Sequence, residues 1–142
     1  MPMTADFVDT NVLVYAYDED EPAKRARATA LLRELGQRTE IVLSTQVLQE
    51  FYVVVTRKLA RPLSEPDALE ALRAWSKVPV VAIDVSLILD AASSSQSSKI
   101  SFWDALVLEA AASRRCDRVL SEDLQEGFTH KGVRVENPFA GI

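Results

Sequence analysis

The sequence predicts an α/β fold, a three-layer sandwich in which helices cover both faces of a central parallel sheet. The first observation is that short β-rich runs alternate with helical patterns along the chain. Second, apolar residues make up 48% of 142 residues, enough for one core in a chain of one domain's length. Third, Gly (4) and Pro (6) are sparse and nothing resembles a linker. We therefore predict a single domain over residues 1–142.

The first half of the chain predicts two strands and four helices. A helix over residues 22–38 is favoured because Pro22 suits a first turn and Ala28, Leu31 and Leu35 share one face. A Ser or Thr at position 44 or 45 caps the helix that follows the second strand. In order, the elements are a strand at 5–8, a short helix at 11–17, a helix at 22–38, a strand at 41–43, a helix capped by Ser44 or Thr45, and a helix opened by Ser64.

The second half predicts three strands and two helices. Asp84 caps a helix over residues 85–92, and Ser101 caps a helix that runs to about Arg114. The polar stretch at 93–98, with sequence SSSQSS, is typical of a mobile loop. The three strands are at 80–83, 119–120 and 133–135. Parallel strands with helical crossovers place a ligand crevice beyond the carboxyl ends of the strands.

Composition excludes several classes of protein. The longest apolar run, residues 12–17, is too short to span a membrane, and the N-terminal residues MPMTADF do not resemble a secretory signal. We therefore expect a cytoplasmic protein. Cys116 is the single cysteine, so an intrachain disulfide and a cysteine-based zinc site are excluded. His130, the single histidine, lies in a polar turn, where we expect it to be exposed and inert.

The charge balance is acidic, with 16 Lys and Arg against 21 Asp and Glu and a net charge of −5. An excess of acidic residues argues against non-specific nucleic-acid binding, which depends on cations. That argument fails if several acids gather at one metal site. The positions of the acids therefore matter more than their number.

Four acids lie near the predicted crevice without a basic residue in their local pattern. Asp9 and Asp123 follow strands, Asp104 lies in the first turn of the helix that Ser101 caps, and Glu50 lies about one turn into a helix. Each also has an ordinary structural role available. Asp9 and Asp104 could cap helices, Glu50 could reach water at a helix margin, and Asp123 could open a turn.

Taken together, the four acids favour a metal site. Carboxylates that share one crevice repel one another and raise each other's pKa unless a cation compensates. A ligand set of oxygens without His or Cys suits Mg²⁺, with Mn²⁺ as the alternative ion, rather than zinc. Mg²⁺ at a few carboxylates commonly supports phosphate chemistry.

Four motifs carry a family resemblance: DTNVLVYAYD from Asp9, QEF around Glu50, FWDA around Asp104 and LSEDLQ around Asp123. In this order they resemble a PIN-domain ribonuclease, and more narrowly the VapC toxins of bacterial toxin–antitoxin pairs. Spacings of 41, 54 and 19 residues separate the four acids, so the resemblance covers nearly the whole chain. Each motif is weak alone, and the ordered set is strong.

The resemblance implies a PIN-like domain with a five-stranded parallel sheet of order 3-2-1-4-5. It implies a Mg²⁺-dependent endoribonuclease with an RNA substrate, a cognate VapB-like antitoxin and a homodimer. Asp9, Glu50, Asp104 and Asp123 match the family's acidic quartet, and Asp9 and Asp104 match its metal ligands. Thr10, Asn11 and Ser121 match supporting polar positions.

A mechanism follows from this assignment. Asp9 and Asp104 would hold Mg²⁺, Asp123 would bind it directly or through water, and Glu50 would orient or deprotonate the water that attacks the phosphate in line. No covalent intermediate forms. Basic residues must frame the acidic crevice for RNA to approach, although a solvated helix face is the favoured interpretation of each cluster taken alone. The candidate clusters are Arg57, Lys58 and Arg61; Arg114, Arg115 and Arg118; and Lys24, Arg25 and Arg27.

Other functions remain to be weighed. A haloacid-type phosphatase needs a second Asp two residues after the first, where this chain has Asn11. A receiver domain needs a Lys after its last strand, and residues 133–142 contain none. A catalytically silent PIN fold that binds RNA or protein stays open as the alternative function.

Overall fold

The computed structural model describes residues 4–142. These residues form one mixed sheet of six strands, and six helices flank the sheet. The strands are β1 (Ala5–Val8), β2 (Glu40–Ser44), β3 (Val80–Val81), β4 (Arg118–Leu120), β5 (Thr129–His130) and β6 (Val133–Glu136). The helices are α1 (Thr10–Tyr15), α2 (Pro22–Arg38), α3 (Thr45–Arg57), α4 (Glu65–Trp75), α5 (Val85–Ser98) and α6 (Phe102–Ser113).

The strands are arranged in the order β3-β2-β1-β4-β6-β5. The first five of these are mutually parallel, which confirms the predicted order for the five strands that the sequence identified. The structure adds β5, a two-residue strand that pairs antiparallel with β6 at the edge of the sheet. The sheet therefore has six strands rather than five.

Strand β1 lies at the centre of the sheet and is covered on both faces. Phe7 and Val8 are both fully buried, and successive residues of a strand point to opposite faces. Both faces must therefore be packed against other elements, as the predicted three-layer sandwich requires. Among the described residues, no helix combines the length and hydropathy needed to cross a membrane.

The serine-rich stretch at 93–98 is helical, so the prediction of a mobile loop was wrong. It forms the last turns of α5, which packs against α6. Ser94 is buried and donates to Glu109 Oε2 at 2.7 Å, and Ser97 donates to the carbonyl of Ser93 at 3.1 Å. Hydrogen bonds to a partner on α6 and to the helix itself thus satisfy hydroxyls that the sequence pattern placed in water.

The prediction that His130 is exposed and inert was also wrong. Its side chain is only 10% exposed, and Nε2 lies 2.5 Å from Glu109 Oε2. Lys131 Nζ lies 2.8 Å from the other oxygen of Glu109, whose side chain is 5% exposed. Glu109 therefore holds the edge strand β5 against α6 through partners more than 20 residues away in sequence.

Replacing Glu109 by Gln is expected to destabilise the protein by about 1–3 kcal/mol at pH 7, because buried groups lose a charged partner. Burial by itself would raise the pKa of Glu109, but hydrogen bonds from Lys131, His130 and Ser94 outweigh it and lower the pKa. A lowered pKa contributes stability above the unfolded value, and this contribution disappears as pH falls through the folded value. Denaturant unfolding across the acidic range should therefore show a shallower pH dependence for Glu109→Gln than for the wild type.

The matched control is Glu34→Gln, which removes the exposed pair with Arg38 on α2. Exposed pairs contribute little, so this variant should stay within about 0.5 kcal/mol of the wild type. Equal stability of the two variants at pH 7 would contradict the role given to Glu109.

Candidate active site

Asp9 lies where β1 ends and α1 begins, and it is almost completely buried. Its Oδ1 accepts from the backbone N–H of Thr10 at 2.8 Å, so it caps the helix as its position suggested. Its Oδ2 accepts from Ser121 Oγ at 2.7 Å. This second contact arises because Val8 pairs in register with Leu120, which brings the ends of β1 and β4 together. Asp9 is therefore both a local cap and part of a polar group at the carboxyl edge of the sheet.

Asn11 connects Asp9 to Asp123. Its Nδ2 lies 3.3 Å from Asp9 Oδ2, 3.2 Å from Ser121 Oγ and 3.2 Å from Asp123 Oδ2. Its Oδ1 accepts from the backbone N–H of Glu122 at 3.0 Å. A single amide side chain thus fixes the loop after β4 relative to the end of β1, and the supporting positions Asn11 and Ser121 lie among the predicted acids.

Glu50 joins this group from α3. Its Oε2 accepts from Thr10 Oγ1 at 3.3 Å and its Oε1 accepts from Gln46 Nε2 at 2.9 Å. The residue is exposed, which fits a carboxylate at a helix margin that reaches water. It nevertheless faces the same cleft as Asp123, since both line one cavity.

That cavity has a volume of about 350 Å³ and is lined by Thr10, Asn11, Val14, Tyr15, Asp18, Glu50, Val54, Glu122 and Asp123. Four of these residues are acidic, and no Lys or Arg is among them. The sequence pattern did not identify Asp18, Tyr15 or Glu122 as cavity residues. The position of Glu122 next to Asp123 could have pointed to it as a cavity residue. The spacing alone could not tell which of these two acids faces Asn11.

Asp104 lies in the first turn of α6, on the other side of Asp123. Ser101 Oγ accepts from the backbone N–H of Asp104 at 3.0 Å, and no hydrogen bond from the described residues reaches the Asp104 carboxylate. Only the Ser101 half of the capping box is therefore formed, and the Asp104 carboxylate does not return a hydrogen bond to the helix start. Asp104 lines a neighbouring cavity of about 410 Å³, and Asp123 lines both cavities.

Burial raises the pKa of Asp9 from 3.8 to about 6. Hydrogen bonds from Ser121 and Thr10 partly offset burial, while the negative charges of Glu50 and Asp123 raise the pKa further. The negative form of Asp9 is thus disfavoured by its surroundings. A cation at this edge of the sheet would reverse that effect.

The donor chemistry fits a hard divalent cation. Asp104 and Asp123 supply carboxylate oxygens to the two cavities, whose lining does not include the buried Asp9 and contains neither His nor Cys. Within residues 4–142, no group of three or more Asp, Glu, His or Cys side chains lies in an arrangement that could by itself hold a metal ion. An open set of carboxylates suits Mg²⁺, which keeps several waters and is held by one or two carboxylates together with substrate phosphates.

The predicted basic frame of the crevice is corrected in part. Arg118 begins β4 and so lies at the opposite edge of the sheet from Asp123, where it pairs with Asp6 at 2.8 Å and Glu136 at 2.7 Å. Arg114 pairs at 3.3 Å with Glu40, the first residue of β2. Parallel strands have all their amino ends on one side of the sheet, so these arginines cannot frame a site beyond the carboxyl ends of the strands.

Two cations from the other clusters do lie near the acidic cavity. Lys24 pairs at 2.6 Å with Glu122, and Arg61 pairs with Glu19 and Asp20 in the turn that follows α1. Both are engaged by acids of this chain. Lys24 therefore has a partner in the protein that the sequence pattern did not suggest.

Comparison with known proteins agrees with this topology. The family model of the PIN domain matches residues 7–131. The chain belongs to the PIN domain family. The match includes the end of β1 with Asp9 directly after it, the first turn of α6 with Asp104, and the loop after β4 with Asp123.

Individual relatives of this PIN domain carry more specific descriptions. Ribonuclease VapC24 of Mycobacterium tuberculosis is 33% identical over 72 residues, and the chain spans about half (49%) of the length of this curated relative. A toxin–antitoxin complex from Klebsiella pneumoniae is 19% identical with a TM-score of 0.69, over 94% of this chain and 98% of that one. VapC20 of M. tuberculosis, described as a sarcin–ricin loop cleaving toxin, is 19% identical with a TM-score of 0.61, over 80% and 86%. The two structures establish the likeness of fold.

Proposed function

We propose that this PIN domain is a Mg²⁺-dependent endoribonuclease and the toxin of a type II toxin–antitoxin pair. The observation that carries the proposal is the burial of Asp9, with its raised pKa, in direct contact with the polar group that holds Asp123. A buried carboxylate beside other acids is costly unless a cation binds there. The relative named a ribonuclease and the solved toxin described as cleaving the sarcin–ricin loop support RNA as the substrate.

Each residue of the proposed site would have its own role in cleavage. Asp9 and Asp104 would hold the ion, and Asp123 would bind it directly or through water. When bound, Mg²⁺ would lower the pKa of a coordinated water and neutralise charge on the phosphate. Glu50, held by Thr10 and Gln46 at the open side of the cavity, would orient the attacking water and accept its proton. Asn11 and Ser121 would keep Asp9 and Asp123 in register.

A VapB-like antitoxin and a second copy of the chain are the proposed protein partners, in the cytoplasm. The solved structure of similar fold that is described as a toxin–antitoxin complex supports the antitoxin. An apolar groove of about 550 Å³ between α3 and α4 suits a protein partner, because large exposed apolar surface marks interaction sites. Its lining includes Leu48, Tyr52, Val53, Leu69 and Leu72.

The proposed activity is tested by incubating the purified chain with structured RNA in Mg²⁺, in Mn²⁺ and in excess EDTA. We expect discrete cleavage products with either ion and none in EDTA. Undiminished cleavage in EDTA would reject the metal mechanism. Binding of RNA without cleavage under all three conditions would instead favour the alternative, a catalytically silent PIN fold that serves as a binding module.

Asp123 and Asp84 provide a matched pair, because both follow a strand at the same edge of the sheet. Asp123 leaves β4, next to β1, and lies within 3.2 Å of Asn11. Asp84 leaves β3, two strands from β1, and caps α5 by accepting from the backbone N–H of Leu87 at 2.9 Å. We expect Asp123→Asn to slow metal-dependent cleavage at least tenfold, about 1.4 kcal/mol in the barrier.

Asp84→Asn should retain full cleavage and nearly full stability, since Asn is also a good N-cap. Single-turnover cleavage rates and thermal melts of the two variants measure both effects. The opposite ranking of the two rates would show that the acid after β4 has been assigned the wrong role.

A further inference from the structure

The carboxylate of Glu122 is fully engaged by two side chains that the proposed mechanism does not use. Tyr15 Oη donates to Oε1 at 2.6 Å, and Lys24 Nζ lies 2.6 Å from Oε2. The same ammonium lies 3.2 Å from Tyr15 Oη and 4.8 Å from the centroid of the Tyr15 ring. The hydrogen bond with Glu122 is the main cause of the raised pKa of Lys24. Lys24 therefore stays charged at any physiological pH.

These contacts join three separate elements at the loop that carries Asp123. Tyr15 ends α1, Lys24 lies in the first turn of α2, and Glu122 directly precedes Asp123. The backbone N–H of Glu122 is itself bound to Asn11. Residue 122 is thus fixed through its main chain on one side and its side chain on the other, which limits where Asp123 can lie.

The ring of Tyr15 is held in turn by the core. It packs edge-on against Phe139 at a centroid distance of 4.9 Å, and Phe139 is buried. Tyr15 therefore offers its hydroxyl from a fixed position. A hydrogen bond to a fixed donor orders the loop more than one to a free side chain, because less side-chain entropy remains to be lost.

The arrangement also reduces the repulsion between carboxylates around the cavity. The acids that line the cavity are Asp18, Glu50, Glu122 and Asp123, so without a cation the loop after β4 is repelled by the turn that follows α1 and by α3. The ammonium of Lys24 bonds directly to one of these four acids. It offsets the repulsion at the residue adjacent to Asp123.

We propose that Tyr15, Lys24 and Glu122 form a positioning network that holds the Asp123 carboxylate at the metal site, an inference that rests on the proposed function. In this role Glu122 orients its neighbour and is not itself a metal ligand. Lys24 orders the loop and does not contact RNA. Residues of this kind act on metal affinity through the ligands that they orient.

The test uses the full chain with Tyr15→Phe and Lys24→Met, and with Arg38→Met as the control on the same helix as Lys24. Arg38 forms an exposed pair with Glu34 at the other end of α2. Hydrogen exchange of the amides at 121–124 is measured in the metal-free protein, and Mn²⁺ affinity is measured by calorimetry. Tyr15→Phe keeps the ring and its packing, so it remains informative even if Lys24→Met folds poorly.

We expect Tyr15→Phe and Lys24→Met to speed amide exchange at 121–124 and to raise the Kd for Mn²⁺ about tenfold. Cleavage should lose kcat with little change in the KM for RNA. Lys24→Arg should recover most of the affinity, because Arg can also bond to Glu122. Arg38→Met should match the wild type in all measurements.

If amide exchange at 121–124 and Mn²⁺ affinity in Lys24→Met and Tyr15→Phe equal those of the wild type, the inference is overturned. A raised KM for RNA as the only change in Lys24→Met would also overturn it and would assign Lys24 to the substrate. If the wild type neither binds Mn²⁺ nor cleaves RNA, the proposed function fails. The exchange rates of the metal-free variants then decide separately whether the network holds the loop.

Discussion

Asp104→Asn is expected to reduce RNA cleavage about 10²–10³-fold, about 3–4 kcal/mol in the barrier, while the protein stays folded. The carboxylate of Asp104 receives no hydrogen bond from the described residues, although its own N–H is bound to Ser101. Its charge therefore contributes little to the fold beyond its favourable position at a helix N-terminus, about 0.3–1 kcal/mol. A large loss of activity with a small loss of stability would identify Asp104 as a metal ligand.

Asp67 offers a control with the same local structure. It lies in the first turn of α4, where its N–H donates to Ser64 Oγ at 3.2 Å, as that of Asp104 does to Ser101 at the start of α6. Asp67→Asn should lose a similar fraction of a kcal/mol and keep wild-type cleavage. Single-turnover rates and denaturant unfolding of both variants make the comparison. Equal rates for the two would limit Asp104 to a favourable charge at the N-terminus of α6.

Asp9→Asn is expected to make the metal-free protein more stable than the wild type at pH 7.5. The folded pKa of Asp9 is about 6, above its ordinary value of 3.8, so between these values the folded state binds more protons than the unfolded state. Stability therefore falls as pH rises through this window, and above it the full cost of about 3 kcal/mol applies. Asn removes that cost but weakens the bonds from Ser121 and Thr10, which leaves a net gain of about 1–2 kcal/mol.

Metal should reverse this order of stability. An ion at a hundredfold its Kd stabilises the wild type by about 2.7 kcal/mol, which is a rise of roughly 8–10 °C in Tm for a chain of this size. Asp9→Asn should gain little. Thermal melts in EDTA and in Mn²⁺ test both statements, with Asp84→Asn as the control that responds to metal like the wild type. A wild-type Tm unaffected by millimolar Mn²⁺ would contradict a metal site at Asp9.

Local patterns predicted most of the fold because local physics decides it. The signals that start a helix or form a strand act within a few residues. They are Pro22 in a first turn, the caps Ser44, Ser64, Asp84 and Ser101, and the short apolar runs of the strands. The two-residue strand β5 escaped the prediction, since its pairing with β6 leaves almost no pattern in so short a segment.

Two of the wrong predictions share one cause, which is a partner distant in sequence. The stretch at 93–98 looked like a loop because the pattern could not show that Ser94 meets Glu109. His130 looked inert for the same reason. Arg118 was assigned to the crevice although the direction of β4 places it at the opposite edge, beside Asp6.

The sequence pattern by itself determined the alternation of strands and helices and the four acids at or near the carboxyl ends of the strands, and the family resemblance supplied the strand order. Only the tertiary structure decided how those acids relate to one another. It placed Asn11 between Asp9 and Asp123, gave Glu50 its donors from Thr10 and Gln46, and left Asp104 in the adjoining cavity. It also bound Lys24 to Glu122. The physical reason is that a chain's pattern records which residues face inward, whereas pKa values and most of these hydrogen-bond partners depend on side chains that folding brings together from distant parts of the chain.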